Sequence, residues 1–288
     1  VNTISTYTNR RKYALAQIDT SLRHMLVAEA VCKVDRSDVR YIDNPYGSAP
    51  STVVQAVAGT YTPAALTTTD AGLTVADEFI VSEHIYDFES ALSAFDLYSS
   101  RIDEMTFSVK AAIDKWVVNE LCENGTGTYS TPSGGFTTPS NWTVILSNII
   151  SQSAAYADRM NGLYLILEDT DLVGVIQSQM SSGFNFADSA LRNGLVSNQA
   201  GVDIYVVPSG TYADETTSTT SGTKTWTNDG HRVGGVKNTA TYAAPRGVQY
   251  DEKGVSGKTG KEVVVWGYVG FKAWVPRVAL SIDITVTA

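Results

Sequence analysis

Between Ala91 and Asn124 the chain carries no glycine and no proline, and Phe95, Tyr98, Ile102, Met105, Val109, Ile113, Trp116, Val117 and Leu121 recur every three or four positions. That spacing lays the apolar residues along one face of an α-helix, and nothing in the stretch interrupts the backbone hydrogen-bond ladder. One continuous helix is predicted. Ser93 with Asp96 three residues on resembles a capping box, and Gly125 stands where a left-handed terminating residue belongs. Thirty or so helical residues, rising about 1.5 Å each, make a rod of roughly 45 Å. Most helices of globular domains run about three to four turns, so this rod supports something larger than its own local core. The spacing is not sustained as heptads with charged flanks, so packing on a sheet is expected rather than a coiled coil.

The rest of the 288 residues must be arranged around that rod, and two domains are expected for a chain of this length. Ahead of it, Leu15, Ile18, Leu22, Met25 and Leu26 define an amphipathic helix over Thr8 to Val31. Asp43-Asn44-Pro45-Tyr46-Gly47 and the Thr/Ala-rich stretch from Tyr61 to Gly72 then separate short β-prone segments, Val53 to Val57 and Leu73 to Val81. This pattern suggests a long excursion that returns on itself. After the rod, the Gly/Thr/Ser/Pro loop Gly125 to Ser140 is the best domain boundary. A second unit reads helix (Trp142 to Asp158), stop (Gly162), strand (Leu163 to Leu167), helix (Asp171 to Met180), strand (Val202 to Val207). Such alternation argues for a mixed α/β layer. Pro208 to Arg232, with eight threonines between Thr211 and Thr227, is expected to be an exposed, flexible insertion too polar to bury. The chain closes on β-prone runs at Thr239 to Tyr250, Glu262 to Val269, Phe271 to Val275 and Val278 to Val286, divided by glycine-rich turns. There is no internal repeat.

Motifs that carry chemistry are weak here. Gly257-Lys258-Thr259 ends like a phosphate-binding loop, but the glycine required five residues before Gly257 is Glu252, and a β-prone run follows where a helix should. A glycine-rich hairpin turn is the expectation. Glu168, Asp169 and Asp171 cluster as Mg²⁺ ligands might be spaced, yet they fall where a strand ends and a helix begins, and acidic residues there cap the helix. His24, His84 and His231 lie in separate segments without ligand spacing, and Gly254-Val255-Ser256 lacks the remainder of a nucleophile elbow. No catalytic, cofactor-binding or metal-binding residue is assigned, and no enzymatic activity is expected. Cys32 and Cys122 are far apart and fit two free thiols in a reducing compartment. A net charge of -9 leaves no Lys/Arg surplus for tight nucleic-acid binding, so a DNA partner would be contained rather than gripped. No apolar run reaches membrane length, and the polar amino end implies that a signal peptide is absent or already removed, and the initiator methionine with it. Five tryptophans and fifteen tyrosines suit carbohydrate binding, buried cores and subunit interfaces equally.

The order of parts (amino-terminal arm, extended loop, long spine helix, inserted α/β domain, closing strands) resembles the capsid proteins of tailed bacteriophages of the Hong Kong 97 type. Particular residues carry the resemblance. Leu73-Thr74-Val75-Ala76-Asp77-Glu78 and Ala111-Ala112-Ile113-Asp114-Lys115-Trp116 resemble the loop return and spine of phage coat proteins. Asn193-Gly194-Leu195 with Gly201-Val202-Asp203-Ile204-Tyr205 is similar to the glycine-bounded strand of their axial domain. Trp266-Gly267-Tyr268 through Val275-Pro276 resembles their terminal peripheral-domain strands. The resemblance implies an α+β fold: residues 1–40 as arm and helix, 41–85 as extended loop, 86–140 and 233–288 as peripheral domain, and 141–232 as axial domain. It implies a major capsid protein that self-assembles into the pentamers and hexamers of an icosahedral shell, formed in the host cytoplasm around double-stranded DNA. Scaffolding protein, portal and a decoration protein would be its partners. Some relatives cross-link lysine to asparagine between subunits, and no residue here matches that chemistry. Encapsulin, a cellular compartment of the same fold, is the nearest rival, and a carbohydrate-binding adhesin is the rival from another class.

Overall fold

The computed structural model describes residues 26–43, 46–47, 59, 68–69, 72–86, 97–125, 127–154, 162–172, 195–199, 201–212, 215–219, 222–274 and 281–287. Most of the helix expected over Thr8 to Val31 lies outside them; within them Leu26 and Val27 are not helical, and a separate short helix, α1 (Ala28–Val31), starts after them, so the expected run is not one continuous helix. Strand β1 (Lys33–Asp35) follows. The excursion does return on itself. Outgoing β2 (Tyr41–Asp43) and β3 (Tyr46–Gly47) pair antiparallel with returning β4 (Thr68–Thr69) and β5 (Gly72–Thr74), β2 with β5 and β3 with β4, as a two-stranded ribbon. The segment Val53 to Val57 lies outside the described residues. The run expected from Leu73 to Val81 is divided between β5 and β6 (Asp77–Ile85), and β6 leaves the ribbon to join a larger sheet.

The long helix α2 spans Leu97–Glu123, and the capping pair Ser93 and Asp96 lies outside the described residues. Met105, Val109, Ile113, Trp116, Val117 and Leu121 of the predicted stripe are buried, with Ile102 packed at their edge. From Asp114 onward, Asp114, Val118, Asn119 and Cys122 are buried as well, so the helix is covered on more than the stripe. It ends where the Asn124 amide bonds the Glu120 carbonyl at 3.0 Å and the Asn124 side chain folds back onto the same oxygen at 2.9 Å.

Beyond α2 come β7 (Gly127–Ser130), α3 (Asn141–Ala154), β8 (Leu163–Glu168), β9 (Leu195–Gln199), β10 (Val202–Val207), a hairpin of β11 (Glu215–Thr219) and β12 (Gly222–Trp226), β13 (His231–Val236), β14 (Ala240–Ala243), β15 (Val248–Gly254), β16 (Lys261–Ala273) and β17 (Ser281–Thr285). Two sheets organise them. In the first, β16 is flanked over Lys261 to Gly267 by β15 on one side and β6 on the other, pairs its last residues with β14, and β1 adds parallel to β14. The runs expected at Glu262 to Val269 and Phe271 to Val275 are thus one strand. Gly270 does not break it, because a side chain there would collide with the ribbon: an added Cβ would stand 2.7 Å from the Thr74 carbonyl. The second sheet runs β7-β17-β13-β8-β10-β9, so strands from both sides of the 140/141 and 232/233 divisions contribute to it. Of the helix expected from Asp171 to Met180, only Asp171 and Leu172 are described.

Layering follows from side-chain alternation. Strand β8, Leu-Tyr-Leu-Ile-Leu-Glu, is buried at every position, as a strand covered on both faces must be. Tyr164 and Ile166 join the core around α2, while Leu163, Leu165 and Leu167 join a second core with Trp142, Ile145, Leu146 and Ile149 of α3. Helix α2 is therefore packed between the two sheets, and α3 covers the far face of the second. Close approach is built into both contacts: a Cβ on Gly267 of β16 would lie 3.3 Å from Ile113, and one on Gly234 of β13 would lie 3.2 Å from Ile149.

The segment Pro208 to Arg232 departs from expectation. Thr211, Tyr212, Asn228 and Arg232 are buried, and β11 pairs with β12 as a regular hairpin. Its polarity does not keep it in water, because each of these residues finds a partner elsewhere in the chain.

Candidate functional site

The acidic cluster read as a helix cap is one half of a buried ionic lock. Glu168 ends β8 and caps the 3-10 turn Asp169–Asp171, with the Asp171 carboxylate accepting the Glu168 amide at 3.1 Å in a capping box. The sequence hides the partner. Arg232, sixty-one residues beyond Asp171, donates from Nε to Asp171 Oδ2 at 2.5 Å and from Nη2 to Glu168 Oε2 at 2.9 Å, and all three residues are buried. Glu168 Oε1 also accepts the amides of Gly210 and Tyr212, at 3.0 and 3.2 Å. The Tyr212 ring lies 5.1 Å from the Arg232 guanidinium, and its hydroxyl donates to the Ile166 carbonyl. From the other side, Asn119 of α2 donates to the Thr211 carbonyl and accepts from Asn228, both at 2.8 Å. The turn from Pro208 to Tyr212 is thereby fixed to β8, β13 and α2 at once. One guanidinium stands between two carboxylates, and the amides of Glu168, Gly210 and Tyr212 donate to the same carboxylates, as a buried structural lock requires.

Of the three histidines, His24 lies outside the described residues and His84 lies on β6. His231 is brought to Asp283 of β17, with Nδ1 at 2.8 Å from Oδ1, and that same oxygen stands 3.4 Å from the Cys122 thiol. Thiol and imidazole thus meet the same carboxylate oxygen. Cys32 and Cys122 are both buried free thiols. Gly257-Lys258-Thr259 lies on the turn joining β15 to β16, with Gly257 at φ +77°, and no helix follows it; the hairpin reading holds.

Surface chemistry concentrates elsewhere. Val263, Val265 and Val269 of β16 face α2, so Val264, Trp266 and Tyr268 point away from it. Ile80 stands in register with Trp266, and Ile80 and Tyr268 are exposed on that outer face. The ribbon is rooted nearby: Leu73 and Trp274 are buried against Ala243, with Ile42 and Val75 packed on them, and Trp274 Nε1 donates to Thr241 at 2.6 Å.

No family model matches the chain, and no curated protein matches it in sequence. Solved structures do match in fold. The capsid structure of the cyanophage P-SCSP1u superposes with a TM-score of 0.74 at 15% identity, covering 92% of this chain and 89% of that one. The capsid of the native GTA particle gives 0.68 at 13% identity, covering 93% and 92%. The mature capsid of bacteriophage PhiM1 gives 0.66 at 7% identity, covering 92% and 88%. With likenesses that each cover more than nine-tenths of its length, this chain is a mixed α/β protein with the fold of phage capsid subunits.

Proposed function

We propose that this chain is the major capsid protein of a tailed bacteriophage of the Hong Kong 97 type, assembling into pentamers and hexamers of an icosahedral shell. The observation that carries it is the capsid-like fold over nine-tenths of the chain. In this reading residues 1–40 are the amino-terminal arm, 41–85 the extended loop lying over a neighbouring subunit, 86–140 and 233–288 the peripheral domain, and 141–232 the axial domain facing capsomer centres. A two-stranded ribbon buries little surface by itself, and exposed apolar residues such as Ile80 and Tyr268 suit contact with further copies of the chain. An acidic subunit fits a container whose double-stranded DNA is driven in rather than bound, since a wall that gripped phosphate would resist packing. Scaffolding protein, portal and a decoration protein are the proposed partners, the host cytoplasm the place of assembly and the virion the destination.

Size-exclusion chromatography with light scattering across concentrations, and negative-stain microscopy of any large species, tests this on protein expressed alone and with its source lysate. Capsomers or closed shells are expected. Shells filled with protein cargo instead of DNA would move the chain to the encapsulin class, and a species monomeric under every condition would refute self-assembly.

A further inference from the structure

We propose that Cys122, His231 and Asp283 form a binding site for a thiophilic divalent cation, zinc above all, that pins the end of the long helix to the second sheet. The three come from separate, well-packed elements. Cys122 is in the last turn of α2, His231 opens β13 and Asp283 lies within β17. Register explains the meeting: His231 pairs with Thr285 and Val233 with Asp283, so His231 and Asp283 are diagonal neighbours on one face. Val233 belongs to the core around α2, which identifies that face as the one Cys122 meets. One potential ligand atom from each residue lies within 4.8 Å of the others, with Asp283 Oδ1 at 2.8 Å from His231 and 3.4 Å from Cys122.

Donor atoms around a tetrahedral zinc stand roughly 3.3–3.6 Å apart, so side-chain adjustments on the order of one ångström seat the ion. Thiolate, imidazole and carboxylate are the donor types zinc takes, and a set of three leaves the fourth position to water. Entry is available: the His231 and Asp283 side chains are 31% and 21% exposed, while Cys122 is buried beneath them. Local charge favours a cation, because Arg232 is already neutralised by Glu168 and Asp171 and the Asp283 carboxylate adds a further negative charge. Without metal, burial and then the adjacent Asp283 push the Cys122 thiol up, and its neighbour offers only a weak S–H contact. As the sulfur–metal bond forms, the thiol proton leaves to solvent and the carboxylate becomes a fellow ligand. The site is independent of the shell reading.

The test is titration of the full chain with Co²⁺ under reducing conditions, followed by displacement with Zn²⁺. One cobalt per chain with a thiolate-to-cobalt charge-transfer absorption is expected, unchanged in Cys32→Ser and abolished in Cys122→Ser. His231→Gln and Asp283→Asn are expected to weaken binding by more than about tenfold, the loss that even outer-shell substitutions bring. Absence of stoichiometric binding, or an absorption band that survives Cys122→Ser, overturns the proposal. A second measurement avoids variants: zinc is expected to raise the Tm of the unaltered chain and EDTA to reverse it, and a Tm indifferent to both refutes the site.

Discussion

Replacing Arg232 by methionine keeps much of the side-chain length and removes the guanidinium, leaving Glu168 and Asp171 in the interior at 8% and 7% exposure without the cation that pairs with both of them. Four contacts go with it: Asp171 at 2.5 Å, Glu168 at 2.9 Å, the His231 carbonyl at 2.6 Å and the face of Tyr212. Removing one partner of a buried ion pair costs about 3–5 kcal/mol. Both carboxylates keep backbone donors, Glu168 from Gly210 and Tyr212 and Asp171 from Glu168, which places this variant at the lower end, about 3–4 kcal/mol. With an unfolding entropy of roughly 2.1 cal/mol/K per residue, a chain of this size loses about 5–7 °C in Tm. Urea and thermal unfolding of the unassembled subunit, followed by circular dichroism, measures this. The triple variant Arg232→Met, Glu168→Gln, Asp171→Asn keeps the amide-accepting oxygens and strands no charge, so it is expected to be more stable than the single one. A single-variant loss below about 1 kcal/mol, the value of an exposed pair, refutes the reasoning, as does a triple variant less stable than the single.

Two further perturbations test separate features. Burial raises the Asp114 carboxyl from 3.8 to about 6, against the opposing hydrogen bonds from the amides of Ala28, which opens α1, and of Val27 before it. The folded state then binds more protons than the unfolded one between those values, so this group's contribution is fully present below pH 3.8 and is lost as pH rises through about 6. Asp114→Asn keeps an acceptor for Ala28 and is expected to gain stability over the parent chain as pH rises through that window, by at most about 3 kcal/mol; a difference that does not change with pH refutes it. On the turn between β15 and β16, Gly257→Ala meets nothing within 4 Å and is expected to cost about 1 kcal/mol of left-handed strain. Gly260→Ala places a Cβ 2.2 Å from the Ile85 carbonyl and is expected to cost more, and equal losses in urea unfolding would show that the end of β6 does not abut this turn.

Elements with a strong period were legible before any coordinates. The stripe from Ile102 to Leu121 predicted both the helix and its buried face, and Leu163 to Leu167 and Val202 to Val207 are strands within a residue of their expected bounds. Strand joins were not legible: Phe271 continues β16 past Gly270, and Val248 begins a new strand after Arg246 and Gly247 adopt left-handed backbone. The strand run breaks where Gly247 turns left-handed and continues through Gly270, whose backbone does not. The polar segment from Pro208 to Arg232 misled for a related reason, since composition records the need of threonine, asparagine and arginine for partners but not whether distant elements supply them.

By itself the sequence determined the rod, the excursion ahead of it, and the helix at Asn141 and the strands at Leu163 and Val202 behind it, because local periodicity and turn chemistry act over a few residues. Only the tertiary structure decided that α2 lies between two sheets and that strands from three separate stretches complete the second of them. It alone brought Arg232 to Glu168 and Asp171, and Cys122 to His231 and Asp283. Those groups are separated by tens of residues to more than a hundred, and what joins them is the register of strands and the packing of one helix, which no short-range pattern encodes.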